Sequence, residues 1–172
     1  MFKRQPSKPI EGYMFVDPGF NTGITYWRYC RVNPYDDSNS KYQYICLQLE
    51  PDKKYKGIGR QYDLWKQFNN LLDDFRPHTV VFEDVTVRND EQSILAAKSG
   101  NIIKLDRVLT GYLAACVFKE IDCELLRVVD WKGNMNDAQV QRRIKWLTGL
   151  EFPTPHIADS FGMTLNEMGI FK

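Results

Sequence analysis

Alternating apolar and polar positions predict a group of β-strands in the first part of the chain. The apolar run 13–16 ends at an Asp-Pro-Gly turn at 17–19. Two further strand-like runs follow, over 23–32 and 42–49, and the polar segment 33–41 between them is typical of a loop. Because short connections join the three runs, we expect an antiparallel meander.

The spacing of the apolar residues then changes, and it predicts helices that alternate with strands. Apolar residues recur at helical spacing from Leu64 to Phe75, and Pro77 ends that predicted helix. The later predicted elements are a buried strand over 79–85, a long helix over 91–119 capped by Asp90 and interrupted by Gly100 and Gly111, a strand over 123–129, a helix over 138–147 that stops at Gly149, and a last helix over 156–168. This order predicts an α/β fold, a mixed sheet with helices on both faces.

Composition is that of one soluble globular domain. The 172 residues carry a net charge of only +1, and 13% of them are aromatic, which excludes disorder over most of the length. We expect a flexible basic tail over 1–10 and a single domain over 11–172. The tail lacks the apolar segment of a secretory signal, and the longest nearly apolar stretch, 108–118, is too short to span a bilayer. A cytoplasmic location is therefore expected.

No pair among the four cysteines has C-x-x-C spacing, so reduced thiols are expected.

Carboxylates stand where two apolar strands end. Asp17 follows the first strand, and Glu83 and Asp84 close the strand after the meander. Because both strands are apolar, we expect them to be central neighbours in the sheet. Asp159 lies one turn into the last helix, and His156, three residues earlier, shares its helical face. Each residue alone has a simple structural explanation, as a turn, a strand end, a helix cap or a solvated side chain.

Together these acids predict a metal site. Converging carboxylates repel one another and are costly to bury, unless divalent cations neutralise them. Oxygen ligands suit Mg²⁺ or Mn²⁺, and two such ions can activate a water and stabilise the leaving oxygen in phosphodiester hydrolysis. Gly19 and Gly23 in the turn after Asp17 are expected to let the backbone approach an anionic ligand closely.

Four segments between Tyr13 and Met168 carry a family resemblance. They are MFVDPGFNTGITYW, TVVFEDV, LRVVDWKGNMNDAQVQRRIKWLTGL and PHIADSFGM. In order and spacing they resemble the motifs of RuvC-type Holliday junction resolvases: an aspartate-led turn, an apolar strand closed by glutamate, a lysine followed by a helix, and H-x-x-D at the start of the terminal helix. The compact chain is more similar to a phage-encoded member than to a housekeeping one.

The resemblance implies an RNase H-like fold with a five-stranded mixed sheet. It also implies a Mg²⁺-dependent endonuclease, with two ions per site and Mn²⁺ as a substitute, that cuts four-way DNA junctions by paired nicks as a homodimer. By the matched motifs, Asp17, Glu83 and Asp159 bind the metals. His156 helps to bind a metal or positions the water, and Lys132 contacts the DNA backbone or the scissile phosphate. These five are the expected catalytic residues.

Basic side chains predict the DNA-binding face. The expected contacts are Lys98, Lys104, Arg107, Lys132, Arg142 and Arg143. The small residues Ala96, Ala97, Ser99 and Gly100 would admit a second subunit, although packing within the chain explains them equally well. Two positions depart from the family pattern. Thr86 stands where members have an aromatic residue, and Asp137 stands near the position of an expected second lysine.

Two other functional classes stay open. One is a different nuclease of the same superfamily, such as an RNase H, a packaging nuclease, a transposase core or an enzyme for branched DNA in general. The other is a junction-binding protein that keeps the acids without activity. Substrate preference separates the nucleases, and metal binding at the acids separates both from a binding protein.

Overall fold

The computed structural model describes residues 12–31, 40–84 and 100–171. In chain order its elements are β1 (Tyr13–Asp17), β2 (Thr22–Arg31), β3 (Ser40–Leu49), α1 (Ile58–Phe75), β4 (Thr79–Asp84), α2 (Asn101–Phe118), β5 (Asp122–Arg127), α3 (Val128–Trp131), α4 (Asp137–Thr148) and α5 (Pro155–Glu167). None of the described helices is long and apolar enough to cross a membrane.

The strands form one mixed sheet in the order β3-β2-β1-β4-β5. β1 to β3 form the predicted antiparallel meander, and β4 and β5 add to it in parallel. The first strand is therefore central, with β2 on one side and β4 on the other. This arrangement confirms the predicted mixed α/β sheet and the predicted pairing of the two strands that end in acids.

The sheet has a separate core on each face because successive strand residues point in opposite directions. On one face Met14 and Phe82 pack with Phe68 of α1 and Tyr112 of α2. On the other face Phe15 packs with side chains of α4 and α5. Both cores are fully buried at their centres, so the helices cover both faces of the sheet as predicted.

Some predicted boundaries are wrong. The strand predicted over 123–129 ends at Arg127, and the chain turns into the short helix α3. The guanidinium of Arg127 donates to both carboxylate oxygens of Asp130, at 2.8 and 2.9 Å, a three-residue spacing that belongs to a helical turn. Gly111 does not interrupt α2, and Gly100 caps its start with a left-handed φ of 72°. The predicted cap at Asp90 and the segment 91–99 lie outside the described residues, as do 1–10 and Thr86.

A close contact between backbones seats α5 on the sheet. A Cβ atom at Gly23 would lie 1.9 Å from the carbonyl oxygen of His156, so only glycine lets β2 come this near. The predicted close approach at Gly23 is thus to α5 and not to a ligand. One turn on, the hydroxyls of Thr25 and Ser160 are 2.9 Å apart. The start of α5 therefore has one position relative to β1 and β2.

Gly23→Ala is expected to destabilise the protein, because the new methyl group and the His156 carbonyl cannot occupy the same space. Overpacking of this kind costs about 1–3 kcal/mol. Gly111→Ala is the matched control, since among the described residues a Cβ there meets only Trp65 at an ordinary 3.7 Å, and helix propensity favours alanine by about 0.5–1 kcal/mol. Urea unfolding of both variants measures the difference. Equal stability of the two would contradict the seating of α5 on Gly23.

Candidate active site

The ends of β1 and β4 bring two acids together. Val16 pairs with Phe82, so Asp17 and Glu83 follow side by side at the carboxyl ends of these two central strands. Each lies two residues after a side chain, Phe15 or Val81, of the core beneath α4 and α5. Because successive side chains of a strand point to opposite faces of the sheet, both carboxylates point to the face that α5 covers.

The start of α5 adds Asp159 and His156 to the same place. The imidazole Nδ1 of His156 lies 2.8 Å from Oδ2 of Asp17, 139 residues earlier. Asp17 and Asp159 are both buried, while the His156 side chain is 39% exposed. Thr154 caps the helix by accepting a hydrogen bond from the backbone N–H of Ile157. Asp159 thus lies about one turn into α5, three residues after His156, as predicted.

The short helix α3 delivers two consecutive side chains to the acids. The ammonium of Lys132 lies 2.5 Å from Oδ2 of Asp159 and 3.0 Å from Oδ1 of Asp137, the first residue of α4. The indole Nε1–H of Trp131 donates to Oε1 of Glu83 at 3.2 Å. Lys132 was predicted for this site. Trp131 and the contact of Asp137 were not.

Burial and mutual repulsion raise the pKa values of two acids. Burial raises the pKa of Glu83 well above its ordinary range, and the charges of Asp17 and Asp159 raise it further. Burial also raises the pKa of Asp159 to about 6, although Lys132 acts in the opposite direction. These carboxyls are therefore close enough to oppose one another's ionisation.

Two basic groups carry the compensating charge. The hydrogen bond with Asp17 raises the pKa of His156, against the opposing effect of its burial. Burial lowers the pKa of Lys132, but the charge and hydrogen bonds of Asp159 and Asp137 outweigh it, so its pKa is raised overall. Both side chains favour the charged form beside the acids, which stabilises the cluster in the absence of any other cation.

One carboxylate oxygen of the cluster has no hydrogen-bond partner among the residues that the structure describes. Oδ1 of Asp159 is buried and makes no hydrogen bond within the described part of the chain. Within that same part, no three metal-ligating side chains already enclose a common point. An orphaned buried oxygen amid repelling acids fits a hard divalent cation.

Asp17 and Asp159 open onto a cleft of about 350 Å³. Its walls include the turn after β1, Lys104 of α2, Asp137 of α4, and Asp17, His156 and Asp159. A ligand in this cleft would therefore meet both the acids and a basic side chain that was predicted to bind DNA.

The other predicted DNA contacts spread over two helices. Arg107 is exposed on α2. On α4, Arg142 is exposed, and Arg143 lies over the ring of Trp146 at 5.2 Å while it donates to the carbonyl oxygen of Phe171. Lys98 lies outside the described residues. Lys132 is only 11% exposed and pairs with acids of its own chain, Asp159 and Asp137.

Asp84 turns away from the cluster. As the neighbour of Glu83 in the strand it points to the opposite face. It pairs in register with Arg127 of β5, and its charge helps to raise the pKa of that guanidinium, for which the hydrogen bond with Asp130 is the larger cause. The structure thus separates two adjacent acids that the sequence presents as a pair.

Glu83→Gln is expected to stabilise the metal-free protein at pH 8. The folded-state pKa of Glu83 is raised above its ordinary 4.5, so its stabilising contribution is complete below pH 4.5 and is lost as the pH rises through the folded value. The amide avoids this loss and still accepts from Trp131. The gain reflects the burial and repulsion that disfavour the ionised carboxylate and that the neutral amide does not experience.

Urea unfolding in EDTA at pH 4 and pH 8 measures this gain. It should vanish at pH 4, where Glu83 is protonated in both the folded and the unfolded state. Glu124→Gln, which changes an exposed carboxylate of β5, is the control and should show no such pH dependence. A Glu83→Gln variant that is less stable at both pH values would refute the repulsion.

Solved structures of known proteins share this fold. The structure described as T. thermophilus RuvC in complex with Holliday junction substrate matches with a TM-score of 0.63 at 14% identity, over 92% of this chain and 96% of that one. The Thermus thermophilus RuvC structure gives 0.61 at 15% identity over the same shares. The yeast mitochondrial Holliday junction resolvase Ydc2 gives 0.55 at 16% identity, over 96% of this chain and 80% of that one.

No protein-family model and no curated protein matches the chain. At such low identity the structural matches establish the fold alone. They confirm the RNase H-like architecture, a five-stranded mixed sheet between helices, that the four sequence segments predicted. The chain therefore has the fold of the RuvC-type Holliday junction resolvases.

Proposed function

We propose that the protein is a Mg²⁺-dependent endodeoxyribonuclease that cuts four-way DNA junctions. The observation that carries this proposal is the convergence of Asp17, Glu83 and Asp159 beside an open cleft. The fold that places them is shared with a RuvC whose structure holds a Holliday junction substrate. Acids that repel one another, with one buried oxygen left unpartnered among the described residues, lie here at the ends of two strands beside a cleft. Such an arrangement suits hydrolysis of phosphodiesters assisted by metal ions.

The three acids, with His156, would hold the metal. When bound, Mg²⁺ or Mn²⁺, as two ions, supplies Lewis acidity that activates a water and stabilises the leaving oxygen. Carboxylate oxygens are the ligands that both ions prefer. Binding at Asp17 and Asp159 competes with His156 and Lys132, because each basic group now occupies one oxygen of those acids.

Two side chains of this chain have distinct roles beside the acids. Asp17 fixes the imidazole of His156 at the cleft wall, where the ring can position a water or exchange its proton. Asp159 and Asp137 hold the ammonium of Lys132 within reach of the same cleft. Released from Asp159, Lys132 is free to contact a DNA phosphate, which is the role the resemblance implies.

A homodimer belongs to the proposal, because paired nicks in opposed strands require two sites related by a two-fold axis. Exposed apolar side chains on α2 support it. Ile103 is 56% exposed, and Val117 and Phe118 at the end of the helix are 72% and 85% exposed. Large apolar side chains in solvent mark a surface suited to a partner.

Asp159→Asn is expected to abolish cleavage and to leave DNA binding intact, because asparagine lacks the charge that holds the metal. Asp17→Asn should behave alike. Asp84→Asn is the matched control, since it changes the neighbouring acid that faces Arg127, and it should keep full activity. The assay uses a labelled synthetic four-way junction beside linear duplex, fork, single strand and RNA–DNA hybrid, in Mg²⁺, Mn²⁺ or EDTA.

Paired symmetric nicks that carry 5′-phosphate and 3′-hydroxyl ends, lost in EDTA and in Asp159→Asn, establish a resolvase. Preferred cleavage of forks or hybrid keeps the metal site and moves the function to a broader branched-DNA nuclease or an RNase H. Tight junction binding without cleavage would make this a binding protein. Full activity of the Asp159→Asn variant would overturn the assigned site.

Arg142→Ala is expected to weaken junction binding several-fold and to lower the slope of log affinity against log salt by about 1, as the loss of one phosphate contact does. Arg142 is exposed on α4, the helix whose first residue lines the cleft. Lys119→Ala is the control at the opposite end of the strands, near the start of β5, where Lys119 pairs with Asp73. Fluorescence anisotropy over a salt series measures both, and equal slopes would remove α4 from the interface.

A further inference from the structure

We propose that the indole of Trp131 is the positioning group for Glu83, fixing that carboxylate for metal binding, and that its fluorescence reports occupancy of the site. This inference rests on the proposed function and adds a residue that the four motifs do not assign. The carrying observation is the hydrogen bond from Trp131 Nε1–H to Glu83 Oε1, at 3.2 Å across 48 residues.

The indole is held rigidly on every side. Trp131 is only 3% exposed, and its ring lies 5.8 Å from that of Phe171. On α5, a Cβ at Gly162 would lie 2.7 Å from Cζ3 of Trp131, so glycine at that position admits the ring. The ammonium of Lys132 stands 5.6 Å from the ring centre. The donor N–H therefore has a single direction, toward the glutamate.

Two neighbouring residues at one end of α3 contact two different acids. Trp131 and Lys132 are consecutive at the end of α3, and they reach Glu83 and Asp159 respectively. The lysine supplies charge that a metal ion would replace. The tryptophan supplies a neutral donor to one carboxylate oxygen, and an oxygen so engaged keeps lone pairs for a metal. Partners of this kind orient ligands in metal sites, and their loss typically weakens metal binding about 10–100-fold.

Trp131→Phe is the direct test, because it keeps an aromatic ring in the pocket and removes only the donor. Calorimetric titration with Mg²⁺ and Mn²⁺ should show affinity about tenfold weaker than in the wild-type protein. Excess metal ion should restore cleavage, since the acids themselves remain. Gly162→Ala retains the N–H but displaces the ring, and it should weaken metal binding in the same direction.

Packing effects are separated by Ile144→Val. This change removes one methylene group from the core that Trp131 belongs to and leaves the rings of Trp131 and Phe171 and the N–H in place, so it should lower the unfolding temperature and keep metal affinity within about twofold. If Ile144→Val weakens metal binding as much as Trp131→Phe does, Trp131 acts only by packing and the inference is overturned.

Fluorescence gives a second, independent readout. Addition of Mg²⁺ should change the tryptophan emission of the wild-type protein, because the charge beside the Trp131 indole changes. The change should persist in Trp65→Phe, whose side chain stacks on Tyr62 of α1 away from the acids, and should be absent in Trp131→Phe. A metal-dependent change that survives in the Trp131→Phe variant would contradict the assignment.

The two proposals fail in different ways. If the wild-type protein and Asp159→Asn both bind no Mg²⁺ or Mn²⁺, the metal site fails and this inference fails with it. If the wild-type protein binds metal and Trp131→Phe binds it equally well, only the positioning role of Trp131 is overturned and the proposed nuclease stands.

Discussion

Electrostatic repulsion between three carboxylates is the constraint around which this end of the molecule is organised. Asp17 and Asp159 are buried, and their charges add to burial in raising the pKa of Glu83. A fold stable to a few kcal/mol tolerates such a cluster only where cations or protons compensate for it. His156 and Lys132 provide that compensation from within the chain, one at each buried aspartate. The same requirement is what makes the cluster suitable for divalent metal ions.

The placement of α5 on the sheet turns a set of acids into a site. Contact between Gly23 and the His156 backbone, and the hydroxyl pair of Thr25 and Ser160, set where the helix begins. One turn later Asp159 meets the ends of β1 and β4. Stability and the proposed catalysis therefore oppose each other here, since the packing that closes the core also forces like charges together. Such conflict is expected at functional sites and rare elsewhere in a fold.

Sequence patterns predicted most of the fold because the periodicity of apolar residues in most segments matches the strand or helix that forms there. Apolar strands ending in Asp17 and Glu83 are central neighbours, and Asp159 and His156 share one helical face, as expected. The error at β5 arose because Val128 and Val129 extend an apolar run that suits a strand. The helical turn is instead stabilised by the pair of Arg127 with Asp130 and by burial of the tryptophan that follows.

Elements and their order follow from the sequence because hydrophobic periodicity and turn residues act over a few positions. Tertiary structure alone decided which side chains meet. Trp131 reaches Glu83 across 48 residues, and Lys132 reaches Asp159 across 27. Gly23 lies in β2 and admits the start of a helix far along the chain, although the sequence suggested a turn that approaches a ligand. Long-range contacts of this kind depend on how helices seat against the sheet, and no local pattern in the chain encodes that geometry.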